Sequence, residues 1–111
     1  MDKSIVYLAV PYTHPDKFVI QQRFDKVNKV SARLMSEGIN VFSPISHTHP
    51  IALAGSLPTN WEFWKNYDMA FLSCSKKLIV LQLDGWENSV GVQAEIQIAK
   101  NLGLPIEYIK E

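Results

Sequence analysis

Ser4-Ile5-Val6-Tyr7-Leu8-Ala9-Val10 is a short apolar run, rich in β-branched residues and closed by Pro11. A run that is apolar on both of its faces predicts a strand buried inside a parallel sheet. Lys77 to Leu83 (KLIVLQL) is a second run of the same kind. Working outward, Lys17 to Glu37 carries Val19, Ile20, Phe24, Val27, Val30, Ala32, Leu34 and Met35 at helical spacing, and Gly38 supplies the stop. Asn40 to Ser43, ahead of Pro44, predicts another short strand. Ser46 to Asn60 holds His47, His49, Pro50, Gly55 and Pro58, which predicts a lid or irregular loop with one short helical piece. Trp61 to Ser73 returns to helical spacing. Asp84 to Asn88 reads as a loop, Ser89 to about Asn101 as a helix stopped at Leu102-Gly103, and Pro105 to Ile109 as a last strand. The order β-α-β-α-β-α-β predicts an α/β fold: parallel strands, right-handed crossovers and helices on both faces of the sheet. In open sheets of this kind ligands sit at the carboxyl ends of the strands. The loops there are residues 11–16, 44–60 and 84–89, the segments richest in His, Trp, Asn and Pro.

The chain of 111 residues suits one domain, 1–111, and its 47% hydrophobic content is enough for one core. Lys plus Arg equals Asp plus Glu, so the formal net charge is zero. No broad basic field exists to hold DNA or RNA, and a polymeric nucleic acid is not expected as partner. A small nucleotide needs only local donors and stays open. Cys74 is the only cysteine, which excludes an intramolecular disulfide. Asp2-Lys3 lead straight into the first apolar run, without a secretory-signal layout, and no stretch approaches the ~20 apolar residues of a membrane helix. The expectation is a cytoplasmic protein that engages no membrane.

The segment Ser89-Val90-Gly91-Val92-Gln93-Ala94-Glu95 carries the most chemistry. Ser89 is placed as a helix N-cap, Gly91 lets a ligand near the backbone, and the free N–H groups of a helix start favour an anion. Glu95, flanked by Ala94, Ile96, Ile98 and Ala99, has apolar surroundings and is a candidate nucleophile toward an anomeric carbon. The plain alternative is that Ser89 only caps and Glu95 is a solvated helix residue. Asp68 lies among Phe63, Tyr67, Phe71 and Leu72, company that would raise its pKa for acid–base work, unless it faces water or pairs with Lys65. Tyr7, inside the first strand, is either core packing or a hydroxyl with a polar partner.

His47 and His49 alternate and His14 precedes Pro15, but no further ligand stands at convincing spacing, so no metal or other cofactor is expected. A histidine contacting a ligand in the lid, His47, is the more natural role. Trp61 and Trp64 read as core or interface residues. Trp86, just before Ser89, is the aromatic placed to stack on a base. Walker A, G-x-G-x-x-G and G-x-S-x-G patterns are absent, which removes kinase, P-loop, dinucleotide-oxidoreductase and α/β-hydrolase readings.

Taken in order, Val6-Tyr7-Leu8-Ala9-Val10-Pro11-Tyr12, Arg23, Val41-Phe42-Ser43-Pro44-Ile45, Tyr67-Asp68, Leu83-Asp84-Gly85-Trp86 and Ser89-Val90-Gly91-x-x-x-Glu95 resemble the nucleoside 2-deoxyribosyltransferase superfamily, and within it the DUF1937 group, over nearly the whole chain. The resemblance implies a three-layer, flavodoxin-like or Rossmann-like parallel sheet of four to five strands. It implies chemistry at the N-glycosidic bond between a base and a sugar. Glu95 would be the nucleophile, Asp68 the acid for the departing base and Tyr7 the hydroxyl that orients Glu95. Nucleoside transferases of this superfamily carry an acidic residue where Ser89 stands, whereas the nucleotide 5′-monophosphate N-glycosidases carry Ser in the pattern S-x-G-x-x-x-E. Ser89 therefore points to a nucleotide monophosphate. The candidate ligand contacts are Ser89, Gly91, Trp86, Pro11 and His47. Ile96 replaces a small residue, which predicts a narrowed pocket. The chain stops at Glu111, short of the extension that transferases lend to a neighbouring subunit, so hydrolysis or binding without turnover is expected over transfer. Self-association into a homo-oligomer is expected from the same resemblance.

Overall fold

The computed structural model describes residues 3–111. Met1 and Asp2, part of the stretch read as lacking a secretory signal, lie outside the described residues. Strand β1 (Val6–Ala9) is wholly buried, as a two-faced apolar run requires. Helix α1 (Lys17–Ser36) starts at Asp16, whose side chain accepts the Phe18 N–H, and buries Ile20, Val27, Val30, Ser31 and Leu34 along one stripe. Strand β2 (Val41–Phe42) is only two residues long. After helices α2 (Pro44–Gly55) and α3 (Trp61–Leu72) come strand β3 (Lys77–Leu81), a 3₁₀ turn (Trp86–Asn88), helix α4 (Val90–Leu102) and strand β4 (Ile106–Ile109).

The four strands are all parallel, in the order β2-β1-β3-β4. Pleating divides β1 between two layers. Val6, Leu8 and Val10 face α1 together with Val27, Val30, Leu34, Ile79 and Leu81. Tyr7 and Ala9 face the other way, against Leu72 of α3 and Val92, Ile96 and Ala99 of α4. The result is the flavodoxin-like or Rossmannoid three-layer sandwich, with four strands. Because β1 has β2 on one side and β3 on the other, the strand order reverses beside β1. A crevice opens at that switch point, outside the carboxyl ends of β1 and β3.

One expected element differs. The stretch from Ser46 to Asn60, expected to be a lid or irregular loop with a short helical piece, is mostly α2, a helix of 12 residues. Its breakers sit where a helix tolerates them. Pro44 occupies the first turn, where its missing N–H has no helical partner to lose, and Ser43 caps that turn. Gly55 is the last helical residue. Pro50 lies inside the helix and removes one backbone bond, yet Pro44, Thr48, His49 and Ala52 keep a buried stripe that holds the helix down. The element order therefore gains a helix between β2 and β3.

Candidate functional site

A cavity of about 400 Å³ occupies the switch-point crevice, within the range of small-molecule sites. The carboxyl end of β1 and its loop supply Ala9, Val10, Tyr12 and Thr13. Pro44, Ile45 and Thr48 come from α2, and Trp61, Glu62, Trp64 and Asp68 from α3. The start of α4 supplies Ser89, Val90, Gly91 and Glu95.

Glu95 projects from the inward stripe of α4, which also holds Val92, Ile96 and Ala99, and only 5% of it is exposed. Tyr7 stands on the α4 side of β1 and is wholly buried. Its hydroxyl donates a hydrogen bond to Glu95 Oε2. Asp68 lies one turn before Leu72 on the inward side of α3 and is also buried. Burial pushes the Glu95 carboxyl up to about 8, with the nearby Asp68 carboxylate adding to the rise and the Tyr7 hydrogen bond opposing it. Burial alone pushes Asp68 up to about 7. Tyr7 is held well above the usual phenol value, first by burial and then by the two carboxylates. Two carboxyl groups and a phenol thus form one coupled set in an apolar enclosure. Such a set holds protons at neutral pH that exposed carboxylates would release.

Ser89 caps α4: its Oγ accepts the Val92 N–H at 3.2 Å. The cap uses a lone pair and leaves the hydroxyl hydrogen free to be given to a ligand oxygen. Val90 and Gly91 are the first two helical residues, so their N–H groups have no carbonyl to bond within the helix, and both residues line the cavity. Gly91 faces Trp61 across the cavity wall. A Cβ there would meet Trp61 Cε3 at 3.6 Å, an ordinary contact. Among the described residues no Lys or Arg is part of this wall.

Arg23, on α1, fixes the rim from outside. Its Nη1 donates to the carbonyls of Tyr12 and Thr13 at 3.3 and 3.1 Å, and its Nη2 to the carbonyl of Asp84 at 3.0 Å. One guanidinium therefore ties the loop after β1 to the loop after β3. Gly85 passes this clamp at φ +90°, and a Cβ there would come within 2.9 Å of Arg23 Nη2.

The sequence-derived candidates separate into two groups. Glu95, Asp68, Ser89 and Gly91 meet in the cavity wall, and Tyr7 reaches Glu95 from behind it. Trp86, Pro11 and His47 do not line the cavity. Trp86 packs on the α3/α4 core and against Tyr108 of β4, with ring centroids 5.6 Å apart. Pro11 is fully buried. His47 is exposed on α2, its ring near Phe42 and Tyr67. Trp61 and Trp64, expected as core or interface residues, line the cavity, and Trp86, expected to stack on a base, does not. Helical spacing placed both on α3, but which side of α3 meets the crevice depends on the layering of α3 against α4. Ile96 turns into the core beneath the sheet and does not line the cavity, so the expected narrowing does not arise from it. Tyr12, Thr13 and Thr48 were missed as wall residues.

The histidines diverge as well. His14 accepts the Asp16 N–H, and His49 is buried between Tyr12 and Gln21. Among the described residues no group of three or more His, Cys, Asp or Glu side chains could hold a metal ion. Among the same residues no helix is long and apolar enough to cross a membrane.

The fold is consistent with a generic nucleotide-binding Rossmannoid domain. No curated protein matches the chain. A family model described as a domain of unknown function, DUF1937, matches residues 4–111, all but the first three positions, and the chain belongs to that family.

Proposed function

We propose that the protein is a member of the nucleoside 2-deoxyribosyltransferase superfamily and an N-glycosidase that cleaves the base–sugar bond of a nucleoside 5′-monophosphate or a related nucleotide. The observation that carries this is the shared cavity of two buried carboxyls, Glu95 and Asp68, one of them held by the Tyr7 hydroxyl and both near the capped start of α4. In the first step the Glu95 carboxylate attacks C1′ and a carbon–oxygen bond forms. The C1′–N bond breaks, its electron pair leaves with the base, and Asp68 gives its proton to the departing nitrogen. In the second step water attacks C1′ and the ester breaks. Glu95 leaves as carboxylate, and the proton of the water passes to Asp68. Tyr7 orients Glu95 and supports its charge. The Ser89 hydroxyl and the N–H groups of Val90 and Gly91 receive the phosphate. Because Asp68 and Glu95 are pushed up to about 7 and about 8, the wall is less anionic at neutral pH than its composition suggests, which favours an anionic ligand.

The test is release of free base, followed by chromatography across a panel of ribo- and deoxyribonucleoside 5′-monophosphates. Release by the wild type and none by Glu95→Gln supports the assignment. No release by either sinks it. One observation favours a second reading, a binder of nucleotides or nucleotide-derived signals. With its carboxyl pushed up to about 8, unliganded Glu95 is mainly protonated at pH 7, and a protonated carboxyl does not attack carbon. Micromolar binding in calorimetry without base release would select that reading.

A further inference from the structure

Behind the Tyr12 wall runs a chain of polar side chains that the reaction above does not use. Tyr12 lines the cavity, and its hydroxyl lies 2.7 Å from His49 Nδ1. His49 is 5% exposed, and its Nε2 lies 3.2 Å from Gln21 Oε1. The Gln21 amide nitrogen donates to Asp25 Oδ1 at 3.1 Å. The direction of each bond follows from the far end. Asp25 Oδ1 accepts from the Gln21 NH₂, so the Gln21 carbonyl is the end turned toward His49. Turning the amide over would set two oxygens against each other. A carbonyl can only accept, so His49 carries its hydrogen on Nε2. Burial pushes His49 down, with Asp25 opposing, so the ring is neutral and Nδ1 is a bare acceptor. The Tyr12 O–H must then point at Nδ1. Edge-on contact with Tyr12 and a tilted contact with the Phe24 ring hold the imidazole in this orientation.

We propose that Tyr12 is a specificity-determining residue: its hydroxyl hydrogen is committed to His49, so it offers the cavity only lone pairs and selects a ligand with an amino or hydroxyl group at that point. A carbonyl or anionic oxygen placed there would face a second acceptor with no hydrogen between them. The selection also sets polarity along the cavity, since the acceptor at Tyr12 and the donors at Ser89, Val90 and Gly91 ask for opposite ends of a ligand. This rests on the nucleotide reading of the cavity, and within that reading the donor is either a base amino group or a sugar hydroxyl.

Two measurements test it. Long-range proton–nitrogen correlation on the free wild-type protein at pH 7 reads the His49 tautomer directly. Hydrogen on Nε2 is expected, and hydrogen on Nδ1 overturns the proposal whatever the cavity binds. Calorimetry in the Glu95→Gln background, where ligand is not consumed, then compares three probes. These are adenosine 5′-monophosphate, the purine riboside 5′-monophosphate that lacks the amino group, and 3′-deoxyadenosine 5′-monophosphate. One of the two truncated probes is expected to bind about tenfold more weakly, and the one that does identifies the donor. Adding Tyr12→Phe is expected to erase that difference. Where the purine riboside probe is the weaker one, so that the base amino group is the donor, adding His49→Phe instead frees the Tyr12 hydrogen, and inosine 5′-monophosphate is expected to gain affinity relative to adenosine 5′-monophosphate. Probes that bind with equal affinity, or a difference that survives Tyr12→Phe, overturn the selection by Tyr12. No binding by any probe overturns the nucleotide reading itself and removes Tyr12's role in choosing a nucleotide, while the tautomer result still stands on its own.

Discussion

The Tyr7 hydroxyl donates to Glu95 Oε2 across the seam between the sheet and α4, joining residues 88 positions apart. It is the only side-chain hydrogen bond to Glu95 among the described residues, so the phenol decides how this buried carboxyl is held. Tyr7→Phe removes the donor and leaves the ring. The protein is expected to lose about 1–3 kcal/mol of stability, because a buried carboxyl loses its partner. The Glu95 pKa should rise further, since the bond is the one influence that lowers it. Denaturant unfolding at pH 7 checks the first, and carboxyl carbon NMR titration checks the second. An unchanged midpoint would mean that the bond contributes nothing to the fold.

The raised carboxyls also set how stability depends on pH. Glu95 goes from 4.5 to about 8 on folding and Asp68 from 3.8 to about 7, so the folded state binds protons more tightly. Their contribution is fully present below about pH 4 and is lost as pH rises through 7 and 8. Glu95→Gln removes the larger share. It is expected to melt at least about 5 °C above the wild type at pH 9, and the gap should close toward pH 4. Calorimetric melting at both pH values measures this, and a gap that does not depend on pH contradicts it.

Catalysis, on the proposed mechanism, needs one proton shared by the pair: Glu95 ionised and Asp68 protonated. The profile of kcat/KM against pH is expected to be a bell, with its maximum between the two values of about 7 and about 8. Asp68→Asn should lose the alkaline limb and at least about a hundredfold in rate. Initial rates from pH 5 to 10 measure both.

Ser89→Asp separates capping from ligand choice. Aspartate caps a helix as well as serine does, so the melting temperature should stay within about 2 °C of the wild type. An added negative charge at the helix start should weaken binding of a 5′-monophosphate by about tenfold and leave the matching nucleoside unaffected. Calorimetry with the pair of ligands reads the difference.

Gly85→Ala tests the clamp. The left-handed backbone and the 2.9 Å approach to Arg23 Nη2 act together, so a destabilisation of about 1–3 kcal/mol is expected. Gly91→Ala is the contrast, because its Cβ meets only an ordinary contact with Trp61. Its stability should be unchanged or raised by about 0.5 kcal/mol, while ligand affinity falls. Denaturant unfolding of both variants, with binding for the second, checks the pair.

Much of the fold was legible because its determinants are local. The unbroken apolar runs around Val6–Ala9 and Lys77–Leu81 mark strands with both faces covered, and the Ser89 cap marks the start of α4. Helix α2 was not legible as a full helix, since Pro44, Pro50 and Gly55 each argue against one. What holds it is the buried stripe of Pro44, Thr48, His49 and Ala52 against the rest of the molecule, a tertiary effect. The same division runs through the site. The sequence neighbourhood gave Ser89, Gly91 and an apolar setting for Glu95. The exchange of Trp86 for Trp61 and Trp64 depended on how α3 lies over α4, and the tie between Arg23 and the Asp84 carbonyl spans 61 positions.

The parallel sheet has a practical consequence for handling the protein. All four strands point their carboxyl ends toward the same pole, where the cavity opens, so the chain enters β1 at the far pole and leaves β4 at the near one. A fluorophore, bead or surface tether attached ahead of β1 keeps clear of the mouth. The same group attached after β4 sits on the side that ligands approach, and binding data from such a fusion would need a matching sample tagged at the opposite end.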